Sequence, residues 1–176
     1  MARCQHTSLR SSCALCVDEL RLTIDSLKPL ADDLNVVLAN FRYRFEGRLA
    51  AAGLSLEWVV SDLPQHPSLT PDVILQVMRI VQEAFSNVIK HAQARRVCVT
   101  AHYEDVAEVI QLRIADDGRG FDDGSQHVGE GLPNMKARAA RLRAQLDVVS
   151  AAGRGTEIRL TLPLHHSPQL RVSTAH

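Results

Sequence analysis

The chain has 176 residues, 45% of them hydrophobic, with 20 basic side chains balanced by 20 acidic ones. That length suits one domain with a short appendage, and the apolar content is ample for a core. Neutrality excludes a global field that recruits nucleic acid or an anionic membrane, and no apolar run approaches the roughly 18 residues of a spanning helix. With no charged-then-apolar leader, the expectation is a cytoplasmic protein without nucleic-acid or membrane contacts.

Residues 1–16 are polar and aperiodic and read as a disordered or frayed N-terminus. They carry Cys4, Cys13 and Cys16, but one Cys-x-x-Cys without a second pair or a paired histidine is a weak metal signal, so reduced thiols are expected. From residue 17, Val17, Leu20, Ile24 and Leu27 keep helical spacing until Pro29 interrupts it. Leu34, Val37, Leu38, Phe41, Phe45 and Leu49 continue the period in a second helix, which Gly53 caps. Residues 54–60 alternate as a strand. Thr70 and Pro71 then start a long helix, as N-cap and first helical residue, that runs to about His91.

Two strands follow at 96–103 and 109–115, then a glycine-rich loop over 116–130 and a helix over 132–144. A hairpin of 146–150 and 157–162 turns around Gly153 and Gly155, and 165–176 reads as a disordered tail. Helices supply one apolar face and strands the other, which predicts a two-layer α/β sandwich with an N-terminal helical appendage.

Glu83, Asn87 and Lys90 are spaced by four and three residues and share a helix face. The Asn87 oxygen suits a hard ion such as Mg²⁺, Glu83 can orient or deprotonate a nucleophile, and Lys90 can offset phosphate charge. A solvated helix face has the same composition. Downstream, a strand runs into Asp116, with Gly118 and Gly120 two and four residues beyond. Asp116 can accept from the exocyclic amine of adenine, whereas guanine places an acceptor there. Asp117 competes for that role, and Asp-Gly is also a common turn dipeptide. Gly129 and Gly131 open a helix whose freed amides suit a phosphate. Thr156 follows Gly153 and Gly155 and can bond a base directly or through water. His91 either approaches the phosphates or meets the helix dipole, Arg119 and Arg138 are candidate phosphate contacts, and 121–130 is a candidate lid.

In this order and spacing the segments Glu83–Ala92, Asp116-x-Gly118-x-Gly120, Gly129-x-Gly131-Leu132 and Gly153-x-Gly155-Thr156 resemble the N, G1, G2 and Gly-Thr boxes of the GHKL ATPases. Within that group the wording is similar to the catalytic domain of sensor histidine kinases, in the subfamily that pairs with helix-turn-helix response regulators. The resemblance implies a mixed sheet covered on one face by helices, binding ATP and Mg²⁺. It assigns catalysis to Glu83 and Lys90, the metal to Asn87, and nucleotide contacts to Asn87, His91, Asp116, Gly118, Gly120, Gly129, Gly131, Leu132, Gly155 and Thr156. It also implies a division at about residue 53, with 17–52 the remnant of a dimerisation and phosphotransfer helix plus a linker helix, and 53–164 the catalytic domain. His6 lacks the acidic neighbour of an acceptor histidine, so the expected partners are a phosphoacceptor histidine domain elsewhere, a response regulator and a second copy of the chain. A binding module without kinase activity, or another GHKL ATPase or protein kinase, is the alternative.

Overall fold

A computed structural model of the chain describes residues 33–51, 53–121 and 130–164. The expected helix at 17–27, the N-terminal cysteines, His6, residues 122–129 of the candidate lid with Gly129, and the tail lie outside the described residues. Helix α1 spans Leu34–Ala51, strand β1 Ser55–Val60 and helix α2 Pro71–Asn87, which continues into a π-helical turn at Val88–Ala92. Strands β2 (Arg96–Glu104) and β3 (Val109–Asp116), helix α3 (Gly131–Arg141), and strands β4 (Gln145–Ser150) and β5 (Thr156–Pro163) complete the order.

The five strands form one mixed sheet in the order β1-β2-β3-β5-β4, with β1 parallel to β2 and every other pairing antiparallel. Parallel neighbours need a crossover, and α2 supplies it. Alternate residues of the strands face the helices: Val97, Val99 and Ala101 of β2, Ile110, Leu112 and Ile114 of β3, and Ile158, Leu160 and Leu162 of β5 are all buried. The opposite face is polar, with Glu157 bridging Arg113 at 2.7 Å and Arg159 at 2.6 Å. The sequence reading of a sandwich with helices on one face matches this architecture.

The helix at 34–51 was expected within an appendage, yet its apolar stripe is sunk in the core shared by the sheet and α2. Leu34, Val37, Leu38, Phe41, Phe45 and Leu49 are at most 3% exposed. Phe41 stacks on Phe45 at 4.8 Å, meets Phe85 of α2 edge-on at 5.1 Å and reaches Trp58 of β1 at 6.4 Å. Gly53 ends the helix at φ +77°, where its amide bonds the Ala50 carbonyl at 3.0 Å. The start is tied down by Asn35, whose amide exchanges two hydrogen bonds with the backbone of Leu63, at 2.8 and 2.9 Å.

Helix α2 begins as its sequence dictates: the Thr70 hydroxyl accepts from the Val73 amide at 3.4 Å, and Pro71 fills the first turn. Val77, Val81, Ala84 and Val88 are buried, as their spacing predicts. The α-helical geometry, expected to run to about His91, stops at Asn87. Its last turn is π-helical and ends at Gln93, which takes the left-handed conformation at φ 53°. This wider turn leaves Val88 and Ala92 both buried.

Candidate active site

Asp116 is the last residue of β3, paired in register with Thr156, the first residue of β5. Its carboxylate is half-buried and accepts from the Gly118 amide at 2.8 Å, and the Thr156 amide also acts on it. Burial pushes its pKa above the ordinary carboxylate value, those two amides oppose the shift, and the negative charge of Asp117 adds to it. Asp117 points elsewhere. Its Oδ1 accepts from the amides of Arg95 and Arg96, each at 2.8 Å, which holds its exposed carboxyl below the usual range and closes the loop leading into β2. Of two adjacent acids that the sequence left in competition, Asp117 is exposed and tied to two amides of the loop before β2, while Asp116 is half-buried at the strand end.

The glycines around Asp116 serve close approach of backbone to backbone. A Cβ at Gly118 would collide with the Ala92 carbonyl oxygen, one at Gly120 with the Ala151 carbonyl, and one at Gly155 with the carbonyl of Asp116 itself. Only Gly120 and Gly155 of these three also need positive φ, at +58° and +73°. The sequence reading expected these glycines to let the backbone approach a ligand; each also lies close to another segment of the chain. Ala92 is the end of the π turn, and its carbonyl accepts from the Arg119 amide at 2.7 Å. The Arg119 carbonyl in turn accepts from the Gly153 amide at 2.6 Å, while Arg119 itself is exposed.

Ser150 escaped the sequence reading. At the end of β4 its hydroxyl accepts from the Phe121 amide at 2.9 Å, donates to the Gly155 carbonyl at 3.0 Å and lies 3.0 Å from the Thr156 hydroxyl. It joins the end of the glycine loop to the hairpin. The available signal was register: in a hairpin closing on Gly153 and Gly155, Ser150 stands directly opposite Thr156.

On α2, Glu83 is half-buried and its carboxylate lies against Gly131, the first residue of α3. Asn87, half-buried, closes α2 one turn later, while Lys90 and His91 are exposed on the π turn. The path from these side chains to Asp116 runs through Ala92 and the loop it pins. Arg138 is accounted for by packing: it donates to Gln76 Oε1 at 2.7 Å and ties α3 to α2. Burial lowers its pKa, Arg79 and Arg141 lower it further, and Glu83 opposes them.

A helix with an acid, an amide and a cation, pinned to a glycine loop that ends a strand in a half-buried acid, is one continuous arrangement. The family described as histidine kinase-, DNA gyrase B-, and HSP90-like ATPase matches residues 72–166, which contain all of it. The chain belongs to this ATPase family. Among curated relatives, it is 29% identical over 155 residues to the sensor histidine kinase LiaS of Bacillus subtilis, covering 84% of this chain and 39% of LiaS. It is 30% identical over 149 residues to the signal transduction histidine-protein kinase/phosphatase UhpB of Salmonella typhimurium, covering 83% of this chain and 28% of UhpB. The chain thus spans well under half the length of these relatives. The fold resembles the histidine kinase domain of a blue-light activated kinase from Erythrobacter litoralis, with TM-score 0.68 and 15% identity over 86% of this chain and 75% of the other. It also resembles the Acinetobacter baumannii histidine kinase AdeS, with TM-score 0.61 and 17% identity over 84% of this chain and 77% of the other. Among the described residues, no helix of this ATPase-family chain is long and apolar enough to cross a membrane.

Proposed function

We propose that this chain is the ATP-binding catalytic part of a sensor histidine kinase. It binds Mg·ATP and passes the γ-phosphoryl group to a histidine on another domain or chain, upstream of a response regulator with a helix-turn-helix output domain. The observation that carries this reading is the half-buried Asp116 carboxylate, bonded by the Gly118 amide, with no cation among the described residues that act on it. A half-buried acid with spare lone pairs is stabilised by a ligand that brings N–H donors. The exocyclic amine of adenine does so, whereas the guanine oxygen would set acceptor against acceptor.

The remaining roles follow from side-chain chemistry. Asn87 offers a neutral oxygen suited to Mg²⁺, an ion that takes few protein ligands and completes its shell with phosphates and water. That ion would offset charge on the phosphates. Lys90 and His91 border the same turn, and the amides at the start of α3, around Gly131 and Leu132, together with Gly129, are suited to phosphate oxygens. In the transfer, a histidine nitrogen forms the new bond to phosphorus while the bridging oxygen leaves with ADP. Glu83 takes up or orients the imidazole proton. Calorimetric titration of Mg·ATP and Mg·GTP into the folded chain tests the reading. Binding of ATP that requires Mg²⁺ and excludes GTP is expected, and a folded chain that binds no ATP overturns it.

A further inference from the structure

Counting protons at Ser150 fixes the polarity of Thr156. The Ser150 hydroxyl has one hydrogen and two lone pairs. The Phe121 amide can only donate, so its 2.9 Å contact uses a lone pair of Ser150. The Gly155 carbonyl can only accept, so its 3.0 Å contact uses the hydrogen. The third contact, 3.0 Å from Thr156 Oγ1, is then made by the second lone pair. Thr156 must be the donor in it. Its hydroxyl hydrogen is committed to Ser150, and what it offers any other group is lone pairs alone. Its amide acts on the Asp116 carboxylate and favours its charged form. Asp116 and Thr156 stand directly opposite each other in the β3–β5 register, so the pair presents acceptors without a competing hydroxyl donor.

We infer that Ser150 is a specificity-determining positioning residue: by holding the Thr156 proton, it makes the base site recognise a donor at the purine 6-position and reject an acceptor there. This rests on the nucleotide reading above and deepens it. A free threonine hydroxyl would rotate and donate to an oxygen at the purine 6-position, blunting the rejection of that base by Asp116. Ser150 touches no base atom in this account. It acts through Thr156.

The test is competition binding of Mg·ATP and the Mg-triphosphate of 6-methoxypurine riboside, which carries oxygen in place of the adenine amine while leaving N1 an acceptor as in adenine, to the full chain and to its Ser150→Ala and Ser150→Thr variants. The preference for ATP is expected to shrink about fivefold in Ser150→Ala, the worth of one neutral hydrogen bond, and to return in Ser150→Thr. A merely structural serine would weaken both nucleotides alike, so an unchanged ratio in folded Ser150→Ala overturns the inference. Should that variant not fold, Ser150→Cys carries the test: a thiol is a weak acceptor and holds the Thr156 proton poorly, so the ratio is expected to fall, and an unchanged ratio is the overturning result. Failure of the unaltered folded chain to bind ATP removes the nucleotide reading itself, whereas ATP binding with an indifferent Ser150 removes only this step.

Discussion

The carboxylate of Glu83 lies against the α-carbon of Gly131, in the space that any side chain at position 131 would occupy. The start of α3 is thereby shaped around the acid proposed to handle the imidazole proton. The obstructing atom is the far end of a flexible side chain, so Gly131→Ala can be accommodated by moving Glu83. It also replaces glycine with the better helix former, which offsets part of the strain. The expected outcome is a melting temperature within a few degrees of the unaltered chain and a phosphoryl-transfer rate reduced about tenfold, with ATP affinity nearly kept. Glu83→Gln is expected to lower the rate by about 10²–10⁴ at similar ATP affinity, the usual contribution of a general base. Transfer assays with a histidine-bearing partner domain, run beside calorimetry, separate the two effects. A Glu83→Gln variant with full transfer rate would remove this acid from the chemistry.

Asp116 and Asp117 are adjacent and respond to pH in opposite senses. Burial raises the Asp116 pKa, so the folded chain holds that proton more tightly than the unfolded chain does. Its contribution to stability is present below the unfolded value of 3.8 and is lost as pH rises through the raised folded value. The Asp117 pKa is lowered by the Arg96 and Arg95 amides, so its contribution is present above 3.8 and is lost as pH falls through the depressed value. Since the adenine amine needs a free acceptor, ATP affinity should decline on acidification at a pH above the ordinary carboxylate range. Asp116→Asn is expected to weaken ATP binding tenfold or more while leaving neutral-pH stability equal or higher, because it removes a half-buried charge. Asp117→Asn should do the reverse, lowering the melting temperature with little change in ATP affinity. Calorimetry against pH and thermal unfolding of both variants check the pair, and ATP binding that survives Asp116→Asn would contradict the assignment.

Much of this was legible before any coordinates. The strands, the Thr70–Pro71 helix start and the cap at Gly53 each follow from local chemistry, and each stands where its residues predict. What escaped depends on contacts distant in sequence. Nothing local says that the α2 geometry widens after Asn87, because the wider turn is where Ala92 meets Arg119 across the fold. Nothing local distinguishes Asp116 from Asp117 beyond spacing, since the difference is made by amides about twenty residues upstream. Ser150 is an ordinary strand-end serine until the hairpin register sets it against Thr156. Helix α1 was placed in an appendage by the family resemblance, and its stripe of period near 3.6 suits any apolar partner without saying which one it finds.

The glycines divide into those that hold the site and those that merely bend the chain. Gly155 combines φ +73° with a backbone carbonyl in the path of any Cβ, so neither rotamer change nor a small side-chain shift relieves it. Gly155→Ala is expected to destabilise the chain by about 3 kcal/mol or more, through backbone strain and steric displacement together. Gly153 has a similar φ of +75° but open space around it, so Gly153→Ala should cost about 1–2 kcal/mol from the left-handed conformation alone. Gly47 sits exposed within α1 with open space and ordinary φ, and Gly47→Ala should stabilise by about 0.5–1 kcal/mol. Urea unfolding of the three variants gives the order directly. Equal effects at Gly155 and Gly153 would mean that the collision with Asp116 is relieved in solution.

The place of α1 in the core leads to the last prediction. Phe41 is fully buried and its ring is in contact distance of rings from α1, α2 and β1 at once. Truncation there opens a void that none of three separately anchored elements can close, because Asn35 fixes the start of α1 and the sheet fixes β1. Phe41→Ala is therefore expected to cost about 3–5 kcal/mol, a large fraction of the roughly 5–15 kcal/mol that holds a domain folded. An exposed neighbour on the same helix gives the control: Tyr43 is 86% exposed, and Tyr43→Ala should change stability by no more than about 0.5 kcal/mol. If α1 were an appendage with a core of its own, Phe41→Ala would leave the unfolding of the sheet unchanged. Loss of ATP binding and of the Trp58 fluorescence transition in one step, at one urea concentration, is the result expected when helix and sheet are a single cooperative unit. Two separate transitions in the unaltered chain would show that α1 and the sheet unfold independently despite their shared core.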